Sequence, residues 1–498
     1  MFISINGDIN RYYVQTLCMI YYPGAKFTDT EEEDGTPSLE VSICHKDTYC
    51  EATAVATLNG NTYTAVKKNE YTDYHTAERS AKIAVGDVVA TVLGEIVSYK
   101  PSWGILTGVR PSKVASEYLN MGMSKTHVKK ILNQSYLVIP KKASLATEVA
   151  ITEKKIIGTP DQKDCSVYIS IPFCPSRCSY CSFVSYSSKK LLALIPEYLQ
   201  RLKNDIVANF ELIKKLGLNI KTVYIGGGTP TILTAAELSE LLETVASQID
   251  VSKLEEYTLE SGRPDTITTE KFEIAKMYGV TRVSVNPQSL CPDVLERIGR
   301  HHSYEDFYRA YNIAVNSGIK YINTDLIIGL PGDNFKTFSS TFDEILSLRP
   351  SNITVHTFCV KKSADILKNG PDVYSMRGGD AGKCVDYSQI KSSQAGYIPY
   401  YMYRQKKTVG NFENVGFALP GAEGIYNIHM MEETHSIFAI GAGAVTKLVK
   451  MPVGTEKIKI SRLFNQKYPY EYLSDNKSAE MLAEIERFYT EEVFDSAE

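Results

Sequence analysis

Tyr168-Ile-Ser-Ile-Pro-Phe-Cys174-Pro-Ser-Arg-Cys178-Ser-Tyr-Cys181 joins an apolar, β-branched run to three cysteines at C-x3-C-x2-C spacing. The run reads as a strand, so the cysteines lie on the loop that leaves it. A short loop can aim three thiolates at one place, and three thiolates hold three irons of a cubane [4Fe–4S] cluster. No fourth cysteine follows nearby at a plausible spacing, which leaves one iron open to a ligand. A closed structural zinc site would want a fourth His or Cys instead.

Beyond this loop the pattern alternates strand with helix. Strands are expected at 166–171, 222–225, 256–260, 281–286, 321–328 and 352–358, with helices at 190–216, 235–247, 268–277, 303–317 and 335–348. Such a series forms a parallel sheet, because parallel neighbours need crossover connections. Right-handed crossovers curl it toward a (β/α) barrel whose reactive groups gather at the C-terminal strand ends. The expected fold is α/β, a partial (β/α) barrel of about six parallel strands over 161–375. An N-terminal α+β domain with a helical linker is expected at 1–160, in the order β-α-β-β-α, and a C-terminal α+β extension at 376–498. The acidic tail 470–498 spaces its apolar residues as a packed amphipathic helix does.

A chain of 498 residues exceeds one ordinary core. Its 43% hydrophobic and 22% charged residues, with a net charge of −4, describe a soluble globular chain lacking the basic footprint of a nucleic-acid binder. With no secretory leader and no run of about 18 apolar residues, a cytoplasmic monomer without a membrane span is expected. Seven cysteines outside the loop are scattered and read as buried hydrophobes or incidental thiols.

The cysteine loop, with Tyr180 just before its last cysteine, resembles the radical S-adenosylmethionine (SAM) superfamily. Later strand ends carry polar groups that suit such a cofactor. Gly226-Gly-Gly-Thr-Pro-Thr231 closes the second strand, where absent side chains let backbone groups approach a ligand. Glu260 ends the third strand, Gln288 follows the fourth, Arg300 lies in Ile-Gly-Arg-His-His, and Asp325 interrupts the apolar fifth. A carboxylate within an apolar strand is costly without partners, so Asp325 is expected to face a polar barrel mouth, with a buried salt bridge as the alternative. Ribose hydroxyls and a methionine carboxylate need acceptors and an arginine of this kind.

Tyr-x-x-Ile-Pro-Phe-Cys, Gly-Gly-Gly-Thr-Pro-Thr, Gln288 with Arg300, and Asp-Leu-Ile-x-Gly-Leu-Pro-Gly together resemble the oxygen-independent coproporphyrinogen III oxidase family over residues 165–360. Gly-Ile-Leu-Thr-Gly-Val-Arg-Pro-Ser-Lys before them, with Tyr400-Tyr-Met-Tyr-Arg-Gln-Lys and Gly410-Asn-Phe-Glu-Asn-Val-Gly after them, resemble its HemZ-type branch, called coproporphyrinogen dehydrogenase. The resemblance implies that Cys174, Cys178 and Cys181 hold a [4Fe–4S] cluster. It matches Tyr168, Tyr180, Gly227, Gly228, Thr229, Glu260, Gln288, Arg300 and Asp325 to SAM-contacting positions, with Cys359 at a further one. No catalytic residue is implied beyond the cluster and SAM site. The implied reaction removes a β-hydrogen from each of two propionates of coproporphyrinogen III by a 5′-deoxyadenosyl radical. Loss of CO2 and one electron then leaves a vinyl group. A reductant such as flavodoxin or ferredoxin is an implied partner.

Two positions depart from the family pattern. Ser170 stands where the oxidases have His, and Phe183 where they carry a further Cys beyond the cluster ligands. Relatives without that Cys include heme chaperones and radical methyltransferases that open the heme ring, so heme binding and heme methylation stand beside the oxidase reading. Arg404, Lys406 and Lys407 are candidate cations for the propionates of a tetrapyrrole, with a plain solvated strand end as the equal alternative.

Overall fold

The computed structural model describes residues 1–30, 35–359, 379–405, 408–452 and 458–494. The chain forms two compact units, Met1–Lys154 with Met402–Lys407, and Lys155–Tyr401 with Thr408–Glu498.

In the first unit β1 (Ile3–Asn6), β2 (Ser38–His45), β3 (Tyr49–Leu58) and β4 (Asn61–Glu70) lie side by side in that order. The β1–β2 pair is parallel and the others antiparallel. Ala52, Ala54 and Ala56 alternate on the buried face of β3, and their small side chains let the helix Ala77–Val97 pack close. The expected β-α-β-β-α order omits β4. Its alternate residues are exposed and it ends in Lys67-Lys-Asn-Glu70, so no apolar run marks this edge strand. Arg404 is buried here, its guanidinium 5.6 Å from the centre of the Trp103 ring and donating to the Leu106 carbonyl. That contact commits its charge to packing, contrary to the propionate role expected of it. Lys406 and Lys407 lie outside the described residues.

The second unit is built on β5 (Asp164–Ile171), β6 (Asn219–Gly227), β7 (Glu256–Leu259), β8 (Arg282–Ser284), β9 (Tyr321–Ile328) and β10 (Asn352–Thr357). These pair in parallel in chain order. The helices Ile195–Lys215, Ala235–Gln248, Thr269–Met277, Tyr304–Asn316 and Phe335–Leu348 lie in the connections between them. After them come β11 (Ile398–Arg404), β12 (Glu413–Ala418), β13 (Ser436–Ile440), β14 (Val445–Lys450) and β15 (Lys459–Phe464), giving the open order β11-β12-β10-β9-β8-β7-β6-β5-β13-β14-β15. β13 runs parallel to β5, so the C-terminal segment extends the parallel set by a seventh strand. Every residue of β7, β12 and β13 is buried, as expected of strands covered on both faces.

Two expected helices are broken. The 190–216 stretch divides into Lys189–Leu192 and Ile195–Lys215, with Pro196 in the first turn of the second. The tail divides into Pro469–Ser474 and Lys477–Arg487, because Asp475 accepts a hydrogen bond from the Lys477 N–H at 3.1 Å and turns the chain between them. Among the described residues no helix is long and apolar enough to cross a membrane.

Candidate functional site

β5 delivers the cysteine loop at its C-terminal end. Phe173 is buried edge-on to Tyr198, with ring centres 5.2 Å apart. The loop base is closed by hydrogen bonds from Cys174 N to Tyr186 O at 3.0 Å and from Tyr186 N to Pro172 O at 2.8 Å. Within the loop, Cys181 N donates to Cys178 O at 3.0 Å, and Ser179 N to Ile298 O at 2.9 Å. Cys178 is buried, and Nη1 atoms of Arg263 and Arg300 lie 3.7 and 3.9 Å from its Sγ. Cys174 Sγ is 3.4 Å from Thr229 Oγ1, and Cys181 Sγ is 3.9 Å from Ser185 Oγ. Burial pushes the Cys174 and Cys181 thiols up, so deprotonation there needs compensating positive charge.

Arg300 ties three loops together. Its Nη1 reaches Tyr180 Oη at 3.3 Å on the cysteine loop, and its Nη2 donates to the carbonyls of Gly262, beyond β7, and Asn286, beyond β8. Arg263 is aimed by a two-pronged pair with Asp265, both bonds 2.9 Å long, and also reaches Ser176 Oγ at 3.1 Å.

The glycine run meets the same loop. Gly228 N donates to Ile171 O and Thr229 N to Phe173 O, both at 2.8 Å. A Cβ on Gly228 would fall 2.5 Å from the Phe173 carbonyl oxygen, and Gly227 has φ +107°. Close backbone approach to Phe173 is thus one reason for glycine here. Tyr168 and Tyr224, on the neighbouring strands β5 and β6, stack with Tyr426 of the helix Ile425–Glu432, with Tyr224 and Tyr426 ring centres 4.6 Å apart.

Glu260 and Asp325 meet beyond the strand ends of β7 and within β9. Glu260 accepts from Tyr224 Oη, from Ser284 Oγ at 2.8 Å and from Asn286 Nδ2 at 3.1 Å. Asp325 accepts from Asn323 Nδ2 at 2.8 Å and Asn286 Nδ2 at 3.0 Å, with His356 Nε2 3.7 Å away. Burial, and then the Asp325 charge, hold the Glu260 carboxyl above its ordinary range. Burial also acts on Asp325, but His356 and hydrogen bonds from Asn323 and Thr354 outweigh it and hold that carboxyl below its ordinary range. One member of the pair stays ionised while the other is the easier to protonate.

Gln288 adopts φ +65°, a left-handed conformation that costs energy in a non-glycine residue. Its backbone is pinned by N to Asp325 O at 3.0 Å and by Ile327 N to its own carbonyl at 3.1 Å, while its buried Oε1 has no partner among the described residues. Arg300 Nε is likewise buried without one. Tyr180 packs on the apolar cluster of Val294, Leu295, Ile298, Ile327, Leu330 and Phe358. Cys359 follows β10 and forms an antiparallel bridge with Thr408. Ser170 donates to Ala442 O at 2.9 Å, and Phe183 is 69% exposed. Among the described residues no three His, Cys, Asp or Glu are placed to hold a single metal ion. A cubane takes its thiolates on separate irons, and the buried sulfur beside two guanidinium groups, with Gln288 Oε1 and Arg300 Nε lacking partners among the described residues, suits such a group and its ligand. Arg263, Asn286 and His356 were not among the expected residues.

Residues 168–345 match the family model described as the Radical SAM superfamily. Its members bind a [4Fe–4S] cluster and SAM, and these are the cofactors of this chain. Over 505 aligned positions the chain is 34% identical to the oxygen-independent coproporphyrinogen-III oxidase-like protein HemZ of Bacillus subtilis (strain 168), covering 99% of this chain and 98% of that protein. The chain belongs to that HemZ family. It is also 35% identical to the heme chaperone HemW of the same organism over 198 residues, 39% of this chain and 51% of HemW. Among solved structures, coproporphyrinogen III oxidase (HemN) from Escherichia coli aligns with a TM-score of 0.49 at 19% identity, covering 65% of this chain and 71% of that one.

Proposed function

We propose that the protein catalyses oxygen-independent oxidative decarboxylation of coproporphyrinogen III to protoporphyrinogen IX. In this reading Cys174, Cys178 and Cys181 hold the cluster. Tyr168, Tyr180, Gly227, Gly228, Thr229, Glu260, Gln288, Arg300, Asp325 and Cys359 contact SAM. When bound, the cluster and SAM supply the electron and the 5′-deoxyadenosyl radical that removes a hydrogen atom from substrate. Everything else is placement. Arg263 and Arg300 place positive charge 3.7 and 3.9 Å from Cys178 Sγ, beside where the cluster would sit. The apolar cluster under Tyr180 keeps water from that side of the site. With burial raising the Glu260 carboxyl and His356 and hydrogen bonds lowering that of Asp325, the pair offers two acceptors of unequal basicity, matching a cationic amine and ribose hydroxyls. Each propionate gives up one hydrogen atom, one CO2 and one electron, so a reductant such as flavodoxin or ferredoxin and a terminal electron acceptor are both required.

The observation that supports this substrate is the likeness to an oxidase-like protein along the whole chain, flanks included. Protein reconstituted anaerobically with cluster, SAM, reductant and an electron acceptor is expected to convert coproporphyrinogen III into a product lacking two carboxyl groups, read by mass spectrometry. SAM cleavage with an unchanged porphyrinogen overturns the reading. Heme delivery is the second reading, favoured by the 35% identity to HemW. Tight heme binding in titration, with no decarboxylation, would support it instead.

A further inference from the structure

Asn286 carries no role in the function just proposed, yet its amide is fully engaged within the site. One side-chain nitrogen donates to both carboxylates, to Glu260 Oε1 at 3.1 Å and Asp325 Oδ2 at 3.0 Å. The side-chain oxygen accepts from the Asp325 N–H at 3.1 Å, and the backbone carbonyl accepts from Arg300. The amide can be oriented only this way, because carboxylates accept and a backbone N–H donates. Asn286 is 3% exposed, and Pro287 behind it restricts its backbone to extended conformations. Two buried carboxylates would otherwise repel one another, and the shared amide hydrogens sit between them. Tyr168, Tyr224, Tyr400 and His356 are the other titratable groups that interact with the pair, and Arg300 lies on the Asn286 carbonyl beside it.

We propose that the Asn286 side-chain amide is a positioning clamp that holds Glu260 and Asp325 at the separation that receives SAM. It rests on the assignment of those carboxylates as SAM contacts. An Asn286→Asp variant keeps the shape but replaces the bridging donor with a third carboxyl. In full-length reconstituted protein, iron and sulfide content should be unchanged. The SAM dissociation constant, by equilibrium dialysis, should rise at least about tenfold near pH 8. It should recover toward the wild-type value near pH 6, as the introduced carboxyl gains a proton and can donate again, whereas wild-type binding changes little. A loss that is flat with pH would mark a general distortion and overturn the clamp, as would a constant within about twofold of wild type. If Asn286→Asp fails to fold or loses its cluster, Asn286→Ser carries the test. Its hydroxyl keeps one of the donations, so weakening of about threefold to tenfold is expected, and binding within about twofold of wild type overturns the proposal. Glu260→Gln and Asp325→Asn separate the two claims. If neither weakens SAM binding, the carboxylate assignment fails; if both do and the Asn286 variants do not, only the clamp fails.

Discussion

The two ends of the same parallel strands carry buried charge in opposite ways. At the N-terminal ends, Arg282 donates to Glu256 at 2.9 Å, to Asn352 Oδ1, and to the carbonyls of Ala422 and Glu423 at 3.0 and 2.9 Å. Glu256 in turn accepts from the backbone N–H groups of Ile425 and Tyr426 at 2.9 and 3.2 Å. Four of the five guanidinium N–H groups of Arg282 are engaged in this way, and with the Glu256 bonds the network locks the Ile425–Glu432 helix to the sheet. At the C-terminal ends, Arg300 Nε and Gln288 Oε1 are buried without partners among the described residues, Gln288 is left-handed, and two carboxylates are split in proton affinity. Burial of charge is common to both ends. At the C-terminal end it is Arg300 and Gln288 themselves, groups proposed to contact SAM, that keep unused hydrogen-bonding capacity among the described residues.

Substitutions at the two ends should therefore fail differently. The largest effect belongs to Cys178→Ala, because two thiolates cannot retain the cluster: iron and sulfide content and the reduced-cluster EPR signal should be lost. Retention of both refutes the cysteine assignment. Next is Arg282→Met, which strands Glu256 without its cation and should cost about 3–5 kcal/mol in denaturant unfolding. A cost below about 1 kcal/mol would show that the network is not structural. Arg300→Lys should invert that pattern. Lys cannot reproduce the guanidinium fork, and loss of a hydrogen bond to a charged ligand group weakens SAM binding by about 1.5–3 kcal/mol, roughly tenfold to a hundredfold. If Arg300→Lys destabilises as much as Arg282→Met while leaving SAM affinity intact, the contrast between the ends collapses.

The elements legible in the sequence were those that break a local pattern. C-x3-C-x2-C after a strand, three successive glycines at a strand end, and Asp325 in an apolar run each stand out against their neighbours. Asn286 and Arg263 do not. Asn before Pro reads as a turn, and Arg in Gly-Arg-Pro-Asp reads as loop charge. Their contacts come from convergence of separate strand ends, which spacing along one segment does not report. The same reason hid the seventh parallel strand. β13 pairs with β5 although most of the sheet lies between them in the chain, so nothing near Ser436–Ile440 announces its partner. β4 was lost for the opposite reason, since an exposed polar edge strand carries little hydrophobic signal at all.

The smallest predicted effect sharpens the account of the N-terminal ends, through pH. His435 is buried beside the start of β5, its Nε2 2.7 Å from Ser166 Oγ, with the His429 ring centre 4.3 Å from its own. Burial, then the neighbouring charges of His429 and Lys221, lower its pKa from 6.5 to about 2, and burial lowers that of His429 as well. Both rings are therefore held neutral in the folded protein but gain protons freely when it unfolds. Stability from this source is complete above pH 6.5 and is lost as pH falls toward the folded value. Between those limits His435 alone removes up to about 2 kcal/mol by pH 5, since each unit below the free pKa is worth about 1.4 kcal/mol. His435→Gln, whose amide does not titrate in this range, should flatten the fall in unfolding free energy between pH 7 and pH 5 by up to that amount, whatever its effect at pH 7. An unchanged slope would mean that His435 is protonated in the folded state at pH 5.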